Sequence, residues 1–183
     1  PEIASQYFSD TVSTRQVTEI CKDIETVYMT ALKDARAMSQ MAQQVERTAK
    51  DLRLQFSIDP ERGNLRQALE KDNVAASVSA LQEKLDNLLL ICNTHVGRDK
   101  ALDNIIERLE LIVKRFEDVL SVERTGFSFW DESSRYHVSL HRTPLSVAEP
   151  FSRVMAEKQA RWVFASATLT VNNSFDYFNQ RLG

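Results

Sequence analysis

Two hydroxyls two residues apart, Ser166 and Thr168, stand at the end of an apolar run, Arg161-Trp162-Val163-Phe164-Ala165. The tetrapeptide Ser166-Ala167-Thr168-Leu169 then leads into a polar helix start at Val171-Asn172-Asn173-Ser174. A buried strand of a parallel sheet that delivers hydroxyls at its C-terminal edge has this pattern. Such a hydroxyl can bond a carboxylate, a phosphate-associated water or a nucleic-acid phosphate. The same residues also fit an ordinary strand-end turn whose hydroxyls cap nearby backbone. No G-x-S-x-G elbow surrounds Ser166, and no histidine is placed by sequence to serve it, so a serine hydrolase is a poor reading.

The other chemistry-bearing residues are scattered. His137 and His141 are four apart on an expected strand, on one face, but no third metal ligand accompanies them. They read as partly exposed structural histidines, and no metal site is expected. Lys50, Arg53, Arg62 and Arg66 form a loose basic group, and Arg98 and Lys100 flank the turn at Gly97. These six are the candidate contacts to single-strand phosphates. Against that, Glu46, Asp51, Asp59, Glu61 and Asp99 are interleaved, as on a solvated face. Trp130 and Tyr136 carry faces on which bases can stack; packing on a helical bundle is the plainer reading. Cys21 and Cys92 lack metal-ligand spacing and fall on apolar stripes, which points to buried free thiols of a reducing, cytoplasmic protein.

The elements that must position these residues are mostly helices. No glycine or proline falls between Pro1 and Pro60, between Gly63 and Gly97, or between Gly97 and Gly126. Ser13 with Gln16 has the capping-box signature. Val17, Ile20, Ile24, Val27 and Ala31, then Met38, Met41, Val45, Ala49, Leu52 and Phe56, recur at helical steps. One unbroken helix over residues 13–57 would be roughly 65 Å long; a break near Ala37-Met38-Ser39 is the alternative. Residues 60–64 read as a turn and Leu65 to Lys71 as a short helix. Asn73 caps a helix with the heptad stripe Val78, Leu81, Leu85, Leu88 and Cys92. Asp99 caps the next, with Leu102, Ile105, Leu109, Ile112, Phe116 and Val119. Consecutive heptad helices joined by short turns predict antiparallel packing. From Gly126 the period changes to two, and residues 127–130 and 136–141 read as a hairpin around Asp131-Glu132-Ser133-Ser134. Ser146 with Glu149 opens a short helix to about Lys158, and a last helix is expected over residues 173–182.

At this point the ordered set resembles a family, the DinG/XPD-type superfamily 2 DNA helicases. Ser166-Ala167-Thr168-Leu169 after an apolar strand is similar to that family's motif III. Residues 140–148, Leu-His-Arg-Thr-Pro-Leu-Ser-Val-Ala, resemble the segment that returns the chain to the first motor domain before that motif. Pro1-Glu2-Ile3-Ala4-Ser5 resembles the residues that follow motif II. The resemblance implies that residues 10–135 are the helical arch domain, with residues 1–9 and 136–183 belonging to a RecA-like motor domain. For Ser166 to Leu169 it implies coupling of ATP hydrolysis to DNA grip. For a longer parent protein it implies a 5′-to-3′ DNA helicase of repair or replication, using ATP, Mg²⁺ and a 4Fe-4S cluster. Single-stranded or forked DNA and replication or repair proteins are the implied partners.

The rest of the sequence bounds that reading. The fold class expected is mainly α: an antiparallel bundle of long helices, a small β-hairpin, and a C-terminal strand–helix remnant of an α/β domain. Both ends resemble cuts. The formal net charge is −3, so any DNA surface must be a local patch. The longest apolar run, residues 88–92, is far too short for a membrane span. No phosphate loop, D-E-x-H motif or set of four cysteines is present, so this segment alone is expected to bind no cofactor and not to hydrolyse ATP. A monomer with weak, salt-sensitive DNA binding is expected. The competing reading is a helical scaffold whose heptad stripes form an oligomer interface.

Overall fold

The computed structural model describes residues 8–146, 148–157, 163 and 174–176. Apart from Val163, the expected strand at residues 161–165 lies outside the described residues, as do Ser166, Ala167, Thr168 and Leu169 and most of the last helix. What is described is mainly helical with a small antiparallel sheet.

Helix α1 (Thr14–Thr30) opens on the expected capping box: the Ser13 hydroxyl accepts from the Gln16 amide, and the Gln16 side chain accepts from the Ser13 amide. The long-helix alternative does not hold, and neither does a break at Ala37. The chain unwinds earlier, at residues 31–35, and α2 (Arg36–Leu54) folds back along α1. Leu32 and Ala35 are buried in the turn, while Ala31 is exposed. No residue there breaks a helix; packing does. The lost backbone bonds are worth about 1 kcal/mol each, whereas each aliphatic side chain that the two facing stripes bury contributes about 1.5–3 kcal/mol. The stripe of α2 is Met38, Ala42, Val45, Ala49 and Leu52; Met41 and Phe56 are only half-buried.

Helix α3 (Leu65–Leu69) is capped by Asn64, whose amide oxygen accepts from Arg66 and Gln67. Helix α4 (Asp72–Asn93) starts one residue before the expected cap. Asn73 lies inside it and donates to Gln55 instead. Helix α5 (Lys100–Leu120) is capped by Asp99 as expected. Every residue of the two heptad stripes is buried. Helices α1, α2, α4 and α5 close a ring in which each packs on two neighbours, the up-and-down arrangement expected for short connections. Arg98 pairs with Asp34 at 2.8 Å, which joins the α1–α2 and α4–α5 turns at one end. Arg108 pairs with Asp23 across α5 and α1.

A four-stranded sheet in the order β1-β4-β3-β2 sits at the other end, where α1 begins and α5 finishes. Its strands are β1 (Asp10–Ser13), β2 (Glu61–Asn64), β3 (Phe127–Ser133) and β4 (Val138–Pro144). The expected turn at residues 60–64 is thus largely a strand, paired with β3 from Glu61↔Ser133 to Asn64↔Trp130. The hairpin turn also moves. It lies at Arg135 and Tyr136, closed by the Ser134 amide donating to the His137 carbonyl at 2.8 Å. Val12, Val138 and Leu140 on the inner face meet Val17, Leu52, Leu81 and Phe116.

The chain divides into two compact units. One is Asp10–Arg124 with Phe129–Arg142, the bundle and most of its sheet. The other is Pro1–Ser9, Thr125–Ser128 and Thr143–Gly183. In the second, Ser9 and Thr143 share a hydroxyl hydrogen bond of 2.7 Å. Leu145 donates to Gly126, whose φ of 84° favours glycine. Its helix α6 (Ala148–Glu157) starts after Ser146, whose hydroxyl accepts from the Ala148 amide.

Cys21 and Cys92 are free and buried. Burial pushes both thiols up to about 12, with Glu46, Cys92 and Glu25 adding to the rise at Cys21. Neither is therefore a thiolate at neutral pH. Ellman's reagent at pH 8 is expected to find no reactive thiol in the folded chain and both after denaturation. Rapid native labelling would show that the bundle opens locally.

Candidate nucleic-acid interface

The six basic candidates are not one patch. Lys50, Arg53, Arg62 and Arg66 lie toward the sheet end of the bundle, and Arg98 and Lys100 at the opposite end. The helices between them have 19 to 22 residues, so about 30 Å separates the two groups.

Their side chains also have different uses. Arg53 is buried, and its Nη1 donates to the Phe56 carbonyl at 3.1 Å, so it closes the end of α2 instead of facing solvent. Arg66 donates from Nε to the Val122 carbonyl (2.7 Å) and from Nη2 to the Arg124 carbonyl (3.3 Å), and lies over the Phe129 ring. It thereby satisfies carbonyls just beyond α5, whose helical partners have run out. Lys50 pairs with Glu46 and Arg62 with Glu132, both largely in solvent. Exposed pairs of this kind exchange easily for other anions, because each contributes less than about 1 kcal/mol. Arg98 is held by Asp34, whose carboxyl it keeps below the usual carboxylate range, chiefly by hydrogen bonding. Lys100 is exposed at the start of α5.

The outer face of the sheet carries a row that the sequence did not reveal. Arg62 on β2 lies over the Trp130 ring of β3, 4.9 Å from its centroid. Trp130 stacks on His141 of β4 at 3.7 Å and 9°. Nδ1 of His141 shares a 2.9 Å hydrogen bond with Thr11 of β1, directly opposite it in register. Trp130 therefore does not pack on the bundle. Its two indole faces look toward Arg62 and His141, and a base has no open face to stack on. Tyr136 also leaves the bundle; it is 71% exposed at the hairpin tip, with Arg135 beside it. The row stayed hidden because it depends on the true turn position: moving the turn to Arg135 and Tyr136 sets Trp130 opposite His141.

His137 ends up in the hairpin turn and not on the strand beside His141, its amide donating to Ser134. Among the described residues no three His, Cys, Asp or Glu side chains are grouped to hold a metal. Burial lowers His141 to about 4, with Arg62 assisting and Glu132 opposing. The imidazole is thus neutral at pH 7 and stacks as an uncharged ring. A histidine in the unfolded chain takes its proton near 6.5. Stability should therefore fall as pH drops from about 6.5 toward 4, and then level off. Urea unfolding followed over that range is expected to show this loss in the natural chain and its absence in His141→Gln. An unchanged slope in the variant would assign the loss to other groups.

No helix among the described residues is long and apolar enough to cross a membrane. No family profile matches the chain. Among curated proteins, the ATP-dependent DNA helicase YoaA of Escherichia coli is 37% identical over 183 residues, which is all of this chain and 29% of the relative. The helicase of the same name from Haemophilus influenzae is 37% identical over 184 aligned positions, with the same coverage. The family resemblance carried by the motifs thus extends along the whole chain, which is similar from end to end to a segment spanning 29% of the ATP-dependent DNA helicase YoaA.

Proposed function

We propose that residues 10–135 are the arch of an ATP-dependent 5′-to-3′ DNA helicase of repair or replication, flanked by motor-domain residues 1–9 and 136–183. The arch shapes the passage of the single strand. Ser166, Ala167, Thr168 and Leu169 act as motif III, coupling ATP hydrolysis to DNA grip. One observation supports the insertion above all. The bundle unit begins at Asp10 and ends at Arg142, seven residues beyond the proposed boundary at 135, and these two residues are register partners on adjacent antiparallel strands. Its two ends therefore lie about 5 Å apart. A domain whose ends meet in this way can be inserted into another without opening it. The scaffold reading loses its main argument, since the heptad stripes face one another inside the chain's own bundle.

ATP and Mg²⁺ would be held outside this sequence, which has no phosphate loop. A 4Fe-4S cluster does not fit the residues present, because it needs four thiolates and Cys21 and Cys92 are protonated thiols inside the core. The arch's part is thus mechanical and electrostatic. Lys50, Arg62, Arg98 and Lys100 supply the phosphate contacts.

The test is fluorescence anisotropy of a labelled single-stranded oligonucleotide, with sedimentation of the same chain. Weak binding by a monomer that weakens steeply between 50 and 200 mM salt is expected. Four phosphate contacts would give a log–log slope of about −2.8 on single strands. Self-association with no DNA binding at low salt would sink the proposal in favour of a scaffold.

A further inference from the structure

A cavity of about 250 Å³ opens between the end of α2, β2 and α3. Asp131 forms its floor. This carboxylate is only 5% exposed, and its Oδ2 is buried without a hydrogen-bond partner. Gly63 stands opposite Asp131 in register, and a Cβ there would fall 2.7 and 2.8 Å from the two carboxylate oxygens. The missing side chain is what lets the carboxylate occupy this place. Glu61 adds a second negative charge to the lining, and Lys71 lines the cavity without an ion pair to either.

The other polar groups are largely committed. The Asn64 oxygen already accepts two amide protons, and the Ser133 hydroxyl donates to the Asp59 and Glu61 carbonyls. What is left unmatched is an acceptor: a buried anionic oxygen, deprived of solvent, with no donor. A metal ion is not the better match, because no three His, Cys, Asp or Glu side chains are grouped to hold one among the described residues. An ammonium of this chain, Lys71, is already at the rim and does not take the position. A planar guanidinium matches the demand better, since its five donors serve Asp131 and Glu61 together and its face suits an aromatic wall such as Phe56.

We propose that this cavity receives an arginine side chain of a partner protein, whose guanidinium pairs with the Asp131 carboxylate from the cavity side and with Glu61 at the mouth. The assignment is independent of the helicase reading. Amide chemical shifts of the full chain, titrated with N-acetyl-arginine amide at constant ionic strength, test it. Saturable millimolar shifts at Gly63, Asn64 and Asp131 are expected, at least tenfold weaker with the neutral citrulline analogue. Asp131→Asn, with its dispersed spectrum showing that it folds, should abolish them, and Gly63→Ala should weaken them by filling the space. No saturable shift, equal binding of the citrulline analogue, or undiminished binding by Asp131→Asn would overturn the proposal. Tighter binding of agmatine than of the blocked arginine would overturn the partner assignment in favour of a free guanidinium compound.

Discussion

Replacing Arg142 with Met is expected to lower the unfolding free energy by about 3 kcal/mol, the lower end of what removing one member of a buried ion pair costs. Arg142 is buried, and its Nη2 and Nε donate to Asp10 Oδ2 at 2.7 and 3.0 Å, while Nη1 donates to Asp118 Oδ1 at 3.1 Å. One guanidinium thus ties β4 to β1 and to the last turn of α5. Without it, Asp10 loses its cation and Asp118 keeps only the longer contact to Arg124, at 3.9 Å. The two aspartate side chains keep 32% and 28% exposure, which relieves part of the penalty. Lysine offers a single point charge in place of the fork, so Arg142→Lys should fall between. Removing the anions as well, in Asp10→Asn with Arg142→Met and Asp118→Asn, should recover most of the loss. Urea unfolding measures all three, and a midpoint shift worth less than about 1 kcal/mol for Arg142→Met would show that water already screens the network. The same contact clamps the chain where it enters and leaves the bundle unit, so its loss should also free β1 to fray.

The heptad helices were legible because their signal is local and repeated: Val78 to Cys92 and Leu102 to Val119 all point inward. What depended on distant partners was not. Strand β1 pairs with residues about 130 positions away and β2 with residues about 70 away, and neither carries an alternating pattern long enough to betray a strand. The turn at residues 31–35 has no glycine or proline, since it is imposed by packing. Arg66 resembled a phosphate contact by charge alone, while its use is to satisfy the end of α5. By sequence Asp131 reads as a turn residue, because a polar side chain between aromatics usually is one. The clue lay in the period: Phe129, Asp131 and Ser133 alternate in step, and all three are buried on the inner face of β3. An alternation that carries a carboxylate inward marks either an error of reading or a site.

Asp131→Asn should make that distinction through stability. Burial raises the Asp131 carboxyl above its ordinary value, with Glu61 adding and Lys71 and a backbone hydrogen bond opposing. An unfolded aspartate ionises near 3.9. The charged form is thus penalised only in the folded chain, so stability is fully present below about 3.9 and is lost as pH rises through the elevated folded value. Asparagine has nearly the same shape and no charge to desolvate. It leaves a polar group in place but removes the added desolvation of the charge, and is expected to stabilise the chain at pH 7 by about 1 kcal/mol. The gain should shrink on acidification and vanish below about pH 3.9. Denaturation midpoints of both proteins across pH 3 to 8 read this directly. A variant less stable at pH 7, or a difference that ignores pH, would mean that the carboxylate is satisfied within the fold. The expected result has a further consequence when joined to the titration with arginine. A residue whose replacement strengthens the fold and abolishes ligand binding is not maintained by folding. The acceptor at the cavity floor would then cost the free chain stability that only a bound donor returns.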